Sequence, residues 1–330
     1  MQSEKKNKSG PKKLKKDCTI YVIAGTSTNR GNIADETFVC ELDPDDADGI
    51  SGHSFPIELP EGNKQLSEKL SKGELVSGAT KFSQNPNVEL SEGVMRVPPG
   101  VTISLNKKRV DRKLAVVTGS KPILVVRVNA TDYDVEDSAE EVSDNIFGTY
   151  GDPNNLASQM KDCSANQLEI TNTYSVDISD KLAAPGVINV NLDIPLEGST
   201  TAQVRNAITD AAQAKLGFNL PGPFQHVMYV IRGCFPNNCP YAAYAYVNSW
   251  LSLYQRGYYK MTAVQVHEVG HNLNLAHSGM GGGPYSDHTC MVSTLFLDII
   301  ICMNNLISWQ CPLFFMIFIF LTFRFSLRLL

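Results

Sequence analysis

Residues 122–129 read PILVVRVN, a nearly unbroken apolar run of the kind that marks a central strand buried on both faces. Beyond it the apolar positions move to helical spacing. Ser138 with Glu141 three residues on is a capping-box signature, predicting a helix that runs to about residue 147 and stops at Gly148. A second helix is expected over about 154–162. A third is expected over 201–217, where TAQVRNAITDAAQAKLG places apolar residues at helical spacing and ends on Gly217. Strands are expected near 167–171, 186–194, 225–232 and 241–247. Upstream, from 18 to 118, short apolar runs (TIYVIAG, ETFVCEL, GVMRVPPGVTISL, KLAVVTG) alternate with Gly, Pro and Asn, which reads as an all-β module. The whole is an α+β pattern with strands and helices alternating in its second part.

Residues 260–279 read KMTAVQVHEVGHNLNLAHSG, and three of the chain's six histidines fall in this stretch. A helix over 261–273 puts His267 and His271 four positions apart, so both imidazoles leave one face and can converge on one ion. Glu268 lies about 100° round that helix, placed to reach a water rather than the ion. Continued straight, the helix would carry His277 about 280° round and roughly three turns away, so the chain has to turn before it. In the pattern HExxHxxGxxH a Gly makes that turn. Asn274 stands there here, and Asn is the residue after Gly that most readily takes φ > 0.

Three imidazoles with a fourth position open are the ligand set of a catalytic zinc, and Glu268 would serve as general base and then acid. The bland alternative, unrelated histidines on an amphipathic helix, does not account for the joint spacing. No Glu follows Glu268, which excludes a distant Glu as third ligand. Asp287 remains an alternative, and His277 has the better spacing.

HEVGHNLNLAHSG, preceded by YAAYAYVNSWLSLY at 241–254, resembles the gametolysin family of metzincin metallopeptidases. ILVVRV (123–128), SDNIFG (143–148), NLASQMKDCS (155–164) and GVINVNL (186–192) resemble it in the same order, so the resemblance covers about 120–291. It implies a metzincin-like domain, a twisted mixed sheet with the zinc helix beneath, preceded by a propeptide-like module. It also implies Met291 in the methionine turn under the metal, with Met280 as the alternative, and substrates among extracellular-matrix or cell-wall glycoproteins. Substrate would lie extended along a sheet edge, at the strand near 225–232 or near 241–247. Tyr241, Tyr244 and Tyr246 read as packing residues. The rival reading is an inactive metal-binding or adhesion module derived from such a peptidase.

With 330 residues, 43% hydrophobic and 19% charged, the chain can bury a sizeable core and is long enough for about two domains. Up to Ser120 there are 18 basic and 16 acidic residues (+2), and beyond it 11 and 18 (−7). An acidic catalytic half without a basic stripe excludes nucleic acid as partner, and a monomer is expected. The acidic stretch at 41–49 lacks the pattern of a calcium loop, and Asp132, Asp134, Glu136 and Asp137 precede a helix N-terminus whose dipole they complement, so calcium is unsupported and zinc is the one expected cofactor. Of eight cysteines, Cys234 and Cys239 are the expected disulfide. Cys18 and Cys40 are candidates for a thiol that holds the zinc in a latent enzyme, but neither lies in a switch-like motif.

The expected organisation is a basic disordered tail (1–17), the β-rich module (18–118), the catalytic domain (119–291) and an apolar tail (292–330). The basic cluster Lys107, Lys108, Arg109, Arg112 and Lys113 is a candidate activation-cleavage site, the alternative being a plain exposed hairpin. No secretory signal is visible at the start, although the resemblance implies an extracellular or cell-wall enzyme. The tail's uninterrupted apolar run, 311–323, is short of the roughly 20 residues of a membrane span, so membrane contact is the alternative location. Val292-Ser293 matches the coding of an intron donor site, and the expectation is that the tail is non-native and the catalytic domain's lower part truncated.

Overall fold

The computed structural model describes residues 12–15, 17–27, 37–42, 53–91, 94–101, 105–107, 118–233 and 241–275. The first part of the chain supplies β1 (Lys12–Leu14), β2 (Cys18–Ser27), β3 (Thr37–Leu42), β4 (Ser54–Glu58), α1 (Lys64–Ser71), β5 (Thr80–Phe82), β6 (Asn85–Ser91), β7 (Val94–Arg96) and β8 (Leu105–Lys107). The second supplies β9 (Gly119–Asn129), α2 (Ala139–Phe147), α3 (Leu156–Cys163), β10 (Leu168–Thr171), β11 (Val187–Asn191) and α4 (Thr201–Leu216). It continues with β12 (His226–Val230), β13 (Tyr241–Tyr246), β14 (Leu251–Tyr254) and α5 (Thr262–Asn272).

The apolar run becomes β9, as its pattern requires. Leu124, Val126 and Val128 face a core shared with α4, while Ile123 and Val125 face the opposite core, shared with α2, α3 and α5. Successive side chains of a strand alternate sides, so only a run apolar at every position can serve two cores. β9 pairs in parallel with β10, β11 and β12; β12 pairs in parallel with β14; β13 closes this group antiparallel to β14. The result is a mixed sheet with helices on both faces, an α+β arrangement.

Helix ends follow local chemistry. Ser138 and Glu141 form the expected capping box, and Gly148 ends α2 at φ 66°. Asn155 with Ser158 and Thr200 with Gln203 cap α3 and α4 in the same reciprocal way, and Gly217 ends α4 at φ 83°.

Two expectations for the N-terminal part are corrected. The module is not all β: α1 forms over KQLSEKLS, burying Leu66, with Leu70 one turn on packed against the same core. Lys12–Leu14, inside the segment expected to lack structure, pairs antiparallel with β6. The module has its own core, including Ile20, Phe38, Leu66, Phe82 and Met95, yet its strands are continuous with the rest. The order is β1-β6-β7-β4-β3-β2-β13-β14-β12-β9-β10, with β2 antiparallel to β13. Among the described residues no helix is long and apolar enough to cross a membrane. The basic cluster from Lys108 onward and the tail after residue 275 lie outside the described residues.

Candidate active site

α5 lies against the sheet with ten of its eleven residues buried, from Thr262 to Asn272 with Ala263 excepted. At its start Thr262 Oγ1 donates to Asn154 O (3.0 Å). Gln265 Nε2 donates to Asn145 O (3.2 Å) and to Tyr259 O. Near its end Asn272 Nδ2 donates to Tyr246 O (3.0 Å) and Leu251 O (2.9 Å), and Asn248 N donates to His271 O (2.9 Å). Both ends are therefore pinned to backbone that the core holds in place.

His267 and His271 point from one face, with ring planes at 90° and Nε2 atoms 3.1 Å apart. Two nitrogens bound to one ion at about 2.0–2.1 Å in near-tetrahedral geometry stand about 3.3 Å apart, so the pair has the span of two ligands of one metal. His271 Nδ1 lies 2.8 Å from Leu275 O. A carbonyl can only accept, so Nδ1 carries the proton and Nε2 presents its lone pair. Burial pushes the His271 pKa down to about 4, which keeps the ring neutral and able to ligate.

The turn after α5 explains how that carbonyl arrives. Asn274 has φ 71°, Leu275 N donates to Gly270 O (2.9 Å) and Asn274 N to His271 O (2.9 Å). These are the two bonds of a Schellman ending with Asn as the left-handed residue. The residue that turns the chain toward His277 thus also brings the Leu275 carbonyl to the His271 ring. Glu268 is fully buried, and Tyr254 of β14 lies beneath the helix. Burial first and the Glu268 charge second keep the Tyr254 phenol protonated well above its usual range.

Among the described residues no three His, Cys, Asp or Glu side chains converge as a metal site. The two histidines need a third donor, and His277, Asp287 and Met291 all lie outside the described residues. The acidic residues at 132–137 do not gather on a calcium site. Asp132 accepts from Leu196 N and Glu197 N (2.9 Å each), Glu136 pairs with Arg232 (2.6 Å), and Asp137 with Lys260 (2.7 Å) and Tyr259.

Three further expectations change. The strand near 225–232 is no edge, because β12 lies between β9 and β14. β13 would be the edge of the C-terminal strands, but β2 covers it. Cys18 and Cys40 are disulfide-bonded to each other, so neither is a free thiol for a metal. Cys163 is disulfide-bonded as well, while Cys234 and Cys239 lie outside the described residues. Tyr244 and Tyr246 are fully buried packing residues, as expected. Sequence reasoning missed Asn272, Asn248 and Tyr254, whose parts in the site depend on which strands lie under the helix.

A family model described as Gametolysin peptidase M11 matches residues 123–313. The match runs past Met291, where the resemblance was expected to stop, and removes the reason for ending the peptidase region there. No curated protein and no solved structure matches the chain.

Proposed function

The chain belongs to the gametolysin family of peptidases, and from that premise we propose that it is a zinc-dependent metalloendopeptidase with His267, His271 and His277 as ligands and Glu268 as general base. The observation that carries this reading is the His267–His271 pair: two Nε2 atoms 3.1 Å apart on a pinned helix, one ring held in its ligating tautomer by Leu275 O. Zinc, when bound, supplies a Lewis acid for the scissile carbonyl and a lowered pKa for water. The Glu268 carboxylate takes the proton of the attacking water and hands it to the leaving amine nitrogen. The burial of α5 against the sheet keeps bulk water from that carboxylate. Met291 would lie beneath the ligands.

The substrates are proteins, among which we propose extracellular-matrix or cell-wall glycoproteins cleaved by a monomer. Export from the cell is supported by the Cys18–Cys40 disulfide, since such bonds persist in oxidising compartments. The N-terminal strands take the place of a propeptide.

Glu268→Gln tests the mechanism. The variant should bind one zinc per chain and lose cleavage of unstructured protein substrates by about 10²–10⁴-fold, the usual worth of a general base. A chelator should abolish wild-type cleavage, and added zinc should restore it. Full zinc content with no cleavage by the wild-type protein would leave only a metal-binding or adhesion module.

A further inference from the structure

We infer that β2 is an internal occupant of the substrate's docking edge, so that the chain as folded here is the latent form of the peptidase; this rests on the reading of the site given above. Taken alone, the C-terminal strands end at β13, an antiparallel strand whose outer N–H and C=O groups would face solvent. Such an edge is where an extended polypeptide adds as a further strand. It is also tied to the candidate metal site. Asn272 Nδ2 donates to Tyr246 O at the end of β13, and Asn248, two residues on, donates its N–H to His271 O.

In this structure the edge is taken. Ile23, Ala24, Gly25 and Thr26 stand opposite Tyr246, Ala245, Tyr244 and Ala243, antiparallel, and Val247 N donates to Val22 O (2.9 Å). The fit is close. A Cβ added to Gly25 would come within 3.0 Å of Tyr241 Cδ1 and 3.3 Å of Tyr244 Cβ. A substrate strand and β2 cannot hold the same row of main-chain groups, so binding of one excludes the other.

β2 is fastened from its own side. The module's β3 pairs with Cys18–Ile23 and the Cys18–Cys40 disulfide joins the two strands, whereas among the described residues Ala24 and Gly25 pair with β13. Substitutions at these two positions therefore act on the β2–β13 ladder and lie beyond the Cys18–Ile23 pairing with β3. Gly25→Val adds bulk against Tyr241 and Tyr244, and Ala24→Pro introduces a ring that a paired strand does not accommodate.

The experiment uses the full chain loaded with zinc. Hydrogen exchange reads the amides of Ala245 and Val247, which face β2, and cleavage of a fluorogenic unstructured peptide reads activity. The expected result is lost protection of these amides in both variants, together with at least a tenfold rise in cleavage over wild type, the factor matching about 1.4 kcal/mol of lost strand pairing. Unchanged cleavage with the amides deprotected, or brisk wild-type cleavage with them protected, overturns the inference and leaves the peptidase reading intact. No cleavage by any form, with zinc bound and the strand displaced, removes the peptidase reading and this inference together.

Discussion

Asn274 shows how much one residue decides. Its left-handed conformation, φ 71°, was expected from the position it occupies in the histidine pattern, because a straight helix would carry His277 out of reach. What it does for the His271 ring was not expected, since the Leu275 carbonyl reaches Nδ1 only through the two hydrogen bonds of the turn. Gly accepts this conformation freely and Ala pays roughly 1–2 kcal/mol for it. Asn274→Gly should therefore keep stability and zinc affinity. Asn274→Ala should lower the Tm and weaken zinc about tenfold, the low end for loss of a group that orients a ligand. Zinc competition titrations decide the matter, and equal affinity in the two variants would detach the turn from the metal site.

At the scale of elements, chain order and spacing were informative wherever the deciding contacts lie within a few residues. The capping box of α2, the glycine stops of α2 and α4, and the doubly buried β9 were all legible. The reciprocal cap Thr200–Gln203 was equally present in the sequence and went unread. α1 was missed because only Leu66 and Leu70 mark its apolar face, and the alternating runs around it carry the stronger signal. The seating of α5 was not legible. Asn272 is buried and its Nδ2 satisfies two carbonyls, Tyr246 O and Leu251 O, from two different strands. Asn272→Ala removes two buried hydrogen bonds, each worth about 0.5–1.5 kcal/mol net. The expected outcome is a lower urea midpoint at unchanged m-value; a midpoint equal to wild type would show that these bonds contribute nothing net.

At the scale of the molecule, the N-terminal strands and the peptidase region share buried polar groups as well as a sheet. Arg205 of α4 is buried, donating Nε to Ser54 Oγ (2.6 Å) and Nη2 to Ser54 O (3.0 Å), with its guanidinium 5.7 Å from the Tyr246 ring centre. Glu41 of β3 lies beside Trp250 and Arg205. Burial raises its carboxyl from 4.5 to about 7, against the lowering pull of Trp250 and Arg205. The folded protein therefore holds this proton to higher pH than the unfolded chain. The stability this group contributes is complete below about pH 4.5 and is lost as pH rises to about 7. Glu41→Gln cannot ionise, so its Tm should gain on wild type between pH 4.5 and 7 and hold that gain above. Parallel Tm curves for the two proteins from pH 4 to 9 would rule out a buried carboxyl at this interface.

The sequence by itself determined the histidine spacing on α5, the left-handed turn after it, most strand and helix positions and the family, because each is written in residues close together in the chain. Only the tertiary structure decided that β2 lies on β13, that Ser54 answers Arg205 from 151 residues away, and that Asn272 bridges two strands. An apolar alternation says that a strand forms. It does not say which strand lies beside it, because the ladder bonds join main-chain groups that every residue except proline carries alike.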